Sequence, residues 1–146
     1  MNLDDRVRFA VYRHFAEIGA APGIDAVADR CGVPADAVVE SYRRLRASRL
    51  LLLEPDGRTI RMAPPVSGVP TQHRVRVSEI DYFANCGWDA LGIPAALHRA
   101  GTVRSRCGQT HEPLDLEVGQ DGPEPSTWVF HSLVPAARWW DDLVFT

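Results

Sequence analysis

A proline-containing segment near the middle of the chain is the feature that most constrains its fold. Residues 63–71 include three prolines, a glycine and a serine in nine positions. Proline lacks a backbone N–H and has a fixed φ angle, so neither a helix nor a central strand is expected to run through this segment. The sequence therefore predicts two domains, over residues 1–64 and 65–146, joined by a linker over residues 63–71.

The first domain is predicted to be mainly helical. Apolar residues recur at helical spacing over residues 4–18, and further helices are expected over Ile24–Cys31 and residues 35–48. Residues 50–53 and 59–62 flank an Asp-Gly turn, which predicts a β-hairpin. Three helices followed by a hairpin is the order of a winged helix, and the second and third helices have the spacing of a helix-turn-helix.

The second domain is predicted to mix antiparallel strands with short helices, which makes the chain α+β. β-branched, aromatic and alternating apolar residues predict strands over residues 73–77, 102–107, 114–118 and 128–134. Helices are expected over residues 82–91 and 95–100, a polar loop over 119–126, and a short helical or irregular segment over 135–142.

Charge and hydropathy argue against a nucleic-acid or membrane partner. The net charge is −3, and residues 1–64 contain ten arginines and nine acidic residues, so the arginines at 43, 44, 46 and 49 do not give a basic domain. The longest apolar run, residues 50–53, is too short to span a bilayer, and no signal peptide precedes it. A soluble cytoplasmic protein with three free thiols is expected.

Cys86 and Asp89 are the candidate reactive pair. Three residues apart on a predicted helix, they would share one face. The carboxylate could accept the thiol proton, and a thiolate is a strong ligand for soft metals such as mercury. From spacing alone, the pattern favours a buried structural cysteine near an exposed aspartate, because cysteine is commonly buried.

The other candidate ligands give weaker signals. Cys107 and His111 have the spacing of half a zinc site, but a structural cysteine is the simpler interpretation. Cys31 is predicted to be a core thiol. His98 and His131 are expected to be solvated or hydrogen-bonded, and no cofactor is predicted.

Residues 82–98, with Cys86-Gly-Trp-Asp89 followed by Ser-Arg-Cys107, resemble the organomercurial (alkylmercury) lyase family. The resemblance implies that Cys86 and Asp89 are catalytic and bind mercury, and that Cys107 is structural. It also implies protonolysis of carbon–mercury bonds, with an organomercurial substrate, a Hg(II) product, cellular thiols as partners, and a helical region that covers the active site.

The chain departs from that family at its second catalytic cysteine. The resemblance places this residue after the strand-like segment 128–134, at or just beyond Thr146, and no cysteine follows Cys107. We therefore expect a chain truncated before that cysteine and poor cleavage by these 146 residues. Two alternatives stay open: a non-catalytic thiol or metal-binding protein, and a winged-helix regulator.

Overall fold

A computed structural model describes residues 1–143 of the chain. The chain divides into two compact units, Met1–Val69 and Pro70–Thr146. The sequence analysis places the domain boundary between residues 64 and 65, five residues before the division seen in the structure. Among residues 1–143, no helix has both the length and the apolar character needed to cross a membrane.

The first unit begins with the three predicted helices, α1 (Leu3–Ile18), α2 (Ile24–Cys31) and α3 (Ala35–Ala47). Their ends follow local chemistry, since the Asn2 side chain caps α1 and Gly32 ends α2 in the left-handed conformation. Their apolar faces form the core of this unit; its fully buried side chains include Val7, Val11, Phe15, Val27, Val38 and Tyr42.

The predicted hairpin is confirmed as β1 (Leu52–Leu53) and β2 (Ile60–Ala63), which pair in antiparallel register. The Asp56 carboxylate stabilises the turn by accepting hydrogen bonds from the backbone N–H groups of Arg58 and Thr59. The segment predicted as a linker is not free of structure, because it includes the short strand β3 (Val66–Ser67), which pairs with β2.

The second unit is built on an antiparallel sheet with the order β5-β4-β6-β7-β8. Its strands are β4 (His73–Val77), β5 (Ile80–Ala84), β6 (Gly101–Arg106), β7 (Pro113–Gly119) and β8 (Gly122–Pro123). The predictions for β4, β6 and β7 are confirmed. The predicted loop over 119–126 includes β8, which forms the end of a tight hairpin with β7.

The helix predicted over residues 82–91 is wrong in its first half. Residues Ile80–Ala84 form β5, because Tyr82 and Ala84 alternate with more exposed positions and pair with β4. Helix α4 begins only at Gly87 and continues through Gly92 and Pro94 to Leu97, so the predicted interruption is absent.

The residues of α4 that face the sheet fix its position. Ala90, Ile93 and Pro94 are buried, and the helix contacts β4, β5 and β6. The turn between β5 and α4 consequently lies at the edge of a packed core rather than in a free loop. This turn contains Cys86.

The predicted strand over residues 128–134 is also wrong. This stretch is irregular, and Val129 and Leu133 are 84% and 80% exposed. β-Branched and aromatic residues favour strands only where a neighbouring strand and a buried face receive them, and no described strand pairs with this segment. The short 3-10 helix Ala136–Asp141 follows it, as the sequence allows.

Candidate active site

Cys86 is the residue that caps the N-terminus of α4. Its backbone is extended, and its carbonyl accepts the hydrogen bond of the Ala90 N–H at 3.0 Å. Asp89 is therefore the third residue of the helix, the position from which a side chain folds back toward the cap. The prediction that both residues lie within a helix is wrong for Cys86, but capping geometry still brings the two side chains together.

The Cys86 thiol donates a hydrogen bond to the Asp89 carboxylate. The Sγ to Oδ2 distance is 3.4 Å, and both side chains are half-buried. A single atom bound at the sulfur is thus within reach of the carboxylate. The pair has the composition needed to bind a soft metal through sulfur and to pass a proton to or from oxygen.

Burial disfavours the charged forms of Cys86 and Asp89. It raises the pKa of the Cys86 thiol to about 11, although the backbone N–H of Asp89 lowers it, and the nearby Asp89 charge adds to the increase. Burial likewise raises the pKa of Asp89, while its hydrogen bond with Cys86 lowers it. The thiol is therefore protonated at neutral pH, and Cys86 is not the pre-activated thiolate that the sequence suggested.

Two neighbours of Cys86 contact the irregular C-terminal segment. The Asn85 side-chain amide donates a hydrogen bond to the Leu143 carbonyl at 2.9 Å. The ring of Trp88 lies 5.5 Å from that of Phe130, centroid to centroid. The contact between these two aromatic residues could not be predicted from the sequence, because it joins positions 42 residues apart that share no local pattern.

The remaining cysteines lie in different environments. Cys31 is buried at the end of α2, as predicted. Cys107 is half-exposed in the turn after β6, so it is not packed in the core as expected of a structural cysteine. A hydrogen bond with Thr110, whose backbone N–H lies 3.4 Å from the sulfur, lowers the pKa of Cys107.

The structure does not assemble a multi-ligand metal site from the candidate histidines. His98 and His131 are exposed, and His111 lies exposed in the same turn as Cys107. Within residues 1–143, no three His, Cys, Asp or Glu side chains form a cluster that could hold a metal ion. A half-buried pair was not predicted from the sequence: His73 Nδ1 lies 2.6 Å from Ser105 Oγ, and burial lowers the pKa of His73.

Comparison with known proteins identifies the family. The chain is 29% identical to an alkylmercury lyase of Staphylococcus epidermidis over 115 residues. This alignment covers 77% of the chain but only about half, 51%, of that relative's length. The crystal structure of the mercury-bound form of MerB2 shares its fold, with a TM-score of 0.65 and 21% identity over 84% of this chain and 60% of that one. The family model described as MerB, alkylmercury lyase, matches residues 66–146. This match covers more than half of the sequence, including Cys86 and Asp89, and the chain therefore belongs to the alkylmercury lyase family.

Proposed function

We propose that this chain binds organomercurials through Cys86 and that Asp89 transfers the proton that releases the organic group. The observation that supports this most directly is the 3.4 Å hydrogen bond from the Cys86 thiol to the Asp89 carboxylate. It joins the soft donor that mercury prefers to the group that can hold the displaced proton. The mercury-bound state of MerB2, a protein of the same fold, supports the choice of metal.

The first step exchanges a proton for mercury. An R–Hg–X compound, where X is a thiolate or halide, forms a sulfur–mercury bond at Cys86 and releases X⁻. The thiol proton passes to Asp89, whose carboxylate already accepts its hydrogen bond. Metal binding drives this ionisation although the resting pKa of Cys86 is about 11, because bound metal ions lower the pKa of their ligands.

The second step returns that proton to carbon. Cleavage of the mercury–carbon bond leaves its electron pair on the carbon, which takes the proton from Asp89 and leaves as the hydrocarbon R–H. Mercury remains as Hg(II) on Cys86. A second thiolate bound to mercury would place more negative charge on the carbon and balance the charge of Hg(II), and we assign that donation to cellular thiols as partners.

The first unit and the cellular location complete the proposal. The three helices and the hairpin of the first unit follow the order of a winged helix. We assign a winged-helix arrangement to this unit, without a role in DNA binding. Its ten arginines are nearly balanced by nine acidic residues up to residue 64, which leaves few counterions to release from DNA. The cytoplasm, where small thiols are abundant, is the proposed site of action.

Mercury uptake tests the assignment of Cys86. We expect Cys86→Ser to abolish tight binding of methylmercury in competition with excess glutathione, and Cys107→Ser to retain it. The reason is that no carboxylate of residues 1–143 accepts a hydrogen bond from the Cys107 thiol, since the nearby Glu112 carboxylate accepts one from the Thr110 hydroxyl instead. Binding can be followed by mass spectrometry of the intact protein. Retained uptake in Cys86→Ser together with loss in Cys107→Ser would reverse the assignment.

A further inference from the structure

Two aromatic side chains beside Cys86 are exposed and in contact with each other. Trp88 is 53% exposed and Phe130 is 46% exposed. Their ring planes are tilted by 50° at a centroid distance of 5.5 Å, within the usual range for an aromatic pair. Single exposed apolar residues are common on protein surfaces, but paired rings next to a reactive group mark a candidate binding surface.

This pair lies directly at the turn that contains the reactive thiol. Gly87 separates Cys86 from Trp88, and a Cβ atom built on Gly87 would lie 4.0 Å from Cδ2 of Phe130. The Phe130 ring therefore packs against the backbone of the residue that follows Cys86. The backbone N–H of Trp88 is also close enough to lower the pKa of Cys86.

The C-terminal segment is held at this turn from the other side of Cys86 as well. The Asn85 side chain donates its hydrogen bond to the carbonyl of Leu143. The contacts of Asn85 and Gly87 thus bracket Cys86 and hold the C-terminal segment, with Phe130, at the turn that contains the thiol. Both aromatic side chains keep about half of their area in solvent.

We propose that Trp88 and Phe130 bind the organic group of the substrate and give the site a preference for arylmercury compounds over methylmercury. This inference rests on the proposed function of Cys86. Mercury with two ligands is linear, so the organic group projects beyond the metal, away from the sulfur, to the side chains that surround it. A phenyl group there can stack on the exposed rings, whereas a methyl group is too small to cover them.

A structural explanation competes with this one. The two rings could serve only to fix residues 124–143 against the start of α4. In that case their removal would weaken the binding of every mercurial equally, through disorder of the turn. The proposal requires a selective effect on aryl compounds.

The test compares phenylmercury and methylmercury on the full chain with Cys107→Ser, which leaves Cys86 as the accessible thiol because Cys31 is buried. Cys86 and glutathione compete for each compound. The relative affinity of glutathione for the two compounds is the reference, because glutathione is a free thiol without aromatic neighbours. We expect a preference for phenylmercury about threefold to tenfold above that of glutathione, which corresponds to the free energy of an aromatic contact. Trp88→Ala and Phe130→Ala should each remove most of it and change methylmercury binding by less than about twofold.

Two further variants sharpen the result. Leu133→Ala is the matched control, since Leu133 is an 80% exposed apolar residue of the same segment, and it should keep the preference. Trp88→Phe preserves an aromatic ring and should keep most of it. The inference is overturned if the parent and the alanine variants show the same preference, or if the alanine variants lose the binding of both compounds equally. Either result leaves Cys86 as the mercury ligand. If Cys86 binds neither compound, the proposed function itself fails.

Discussion

Burial of the Cys86 thiol keeps its proton in place, and in the proposed function mercury displaces that proton. A cysteine exposed to water titrates near its ordinary pKa, whereas this one is held at about 11 by the apolar end of α4 and the neighbouring carboxylate. Such a thiol reacts slowly with ordinary electrophiles and oxidants, since these attack the thiolate. Mercury is a different reagent, because the strong sulfur–metal bond compensates for loss of the proton.

The carboxylate of Asp89 should cost the protein stability at neutral pH. Its pKa is raised on folding, so the folded state binds this proton more tightly than the unfolded state does. The resulting stability is fully present below the unfolded pKa of 3.8 and is lost as the pH rises through the folded pKa. We expect Asp89→Asn to raise the free energy of unfolding at pH 7 by about 0.5 to 2 kcal/mol.

Thermal unfolding at two pH values measures this effect. The advantage of Asp89→Asn should shrink when the pH is lowered to about 4, near the ordinary pKa of a carboxyl group. Asp115→Asn is the matched control: Asp115 is 82% exposed in a surface ion pair with Arg104, and its removal should change little. A destabilised Asp89→Asn protein at pH 7 would mean that the carboxylate is a net stabilising group.

At the scale of elements, some helices and strands could be predicted from the local sequence pattern, whereas others depend on tertiary pairing. The bounds of α2 agree with the prediction, because they depend on a helical run and a glycine that ends it. Residues 82–84 were predicted as the start of the following helix although Tyr82 and Phe83 favour a strand, and pairing with β4 makes them one. Residues 128–134 show the opposite case, since strand propensity has no effect without a partner strand.

The same distinction holds for the candidate site. Cys86 and Asp89 were predicted through the resemblance to the alkylmercury lyase family, since their spacing alone is a weak pattern. That spacing brings the two side chains together both within a helix and across its cap. The raised pKa of Cys86 could not be predicted, since it depends on burial that the tertiary fold produces. Nor could the Trp88–Phe130 pair, whose members belong to segments distant in sequence.

The approach of α4 to the sheet requires a glycine at the start of β6. A Cβ atom on Gly101 would lie 2.7 Å from the Arg76 carbonyl oxygen and 3.3 Å from Cγ of Pro94. Because backbone atoms cannot move aside easily, we expect Gly101→Ala to lower the free energy of unfolding by about 1 to 3 kcal/mol. Gly108→Ala, where the added Cβ meets nothing within 4 Å, is the matched control in chemical denaturation. Equal stability of the two variants would show that both the backbone of β4 and the helix can shift away from residue 101.

At the scale of the whole molecule, the distribution of sulfur limits the chemistry. The sequence contains three cysteines, and only Cys86 has a carboxylate hydrogen-bonded to its sulfur among the described residues. Cys31 is buried in the first unit, and Cys107 lies in a turn of the second. The relative from Staphylococcus epidermidis is about twice the length of the aligned region, so its activity cannot be transferred whole to these 146 residues.

We therefore expect the chain without added thiol to bind methylmercury at Cys86 but to release methane from it slowly or not at all. One thiolate leaves the methyl group bound to mercury, because a single donor puts too little negative charge on the carbon for Asp89 to protonate it. Hydroxyl groups cannot serve as the second donor, since they are hard ligands that stay protonated at neutral pH. Gas chromatography of the headspace over protein, methylmercury and increasing glutathione measures the reaction. Methane that rises with glutathione would make the external thiol the second donor. Rapid methane without added thiol, abolished by Cys107→Ser, would instead make Cys107 the second donor and contradict the expectation.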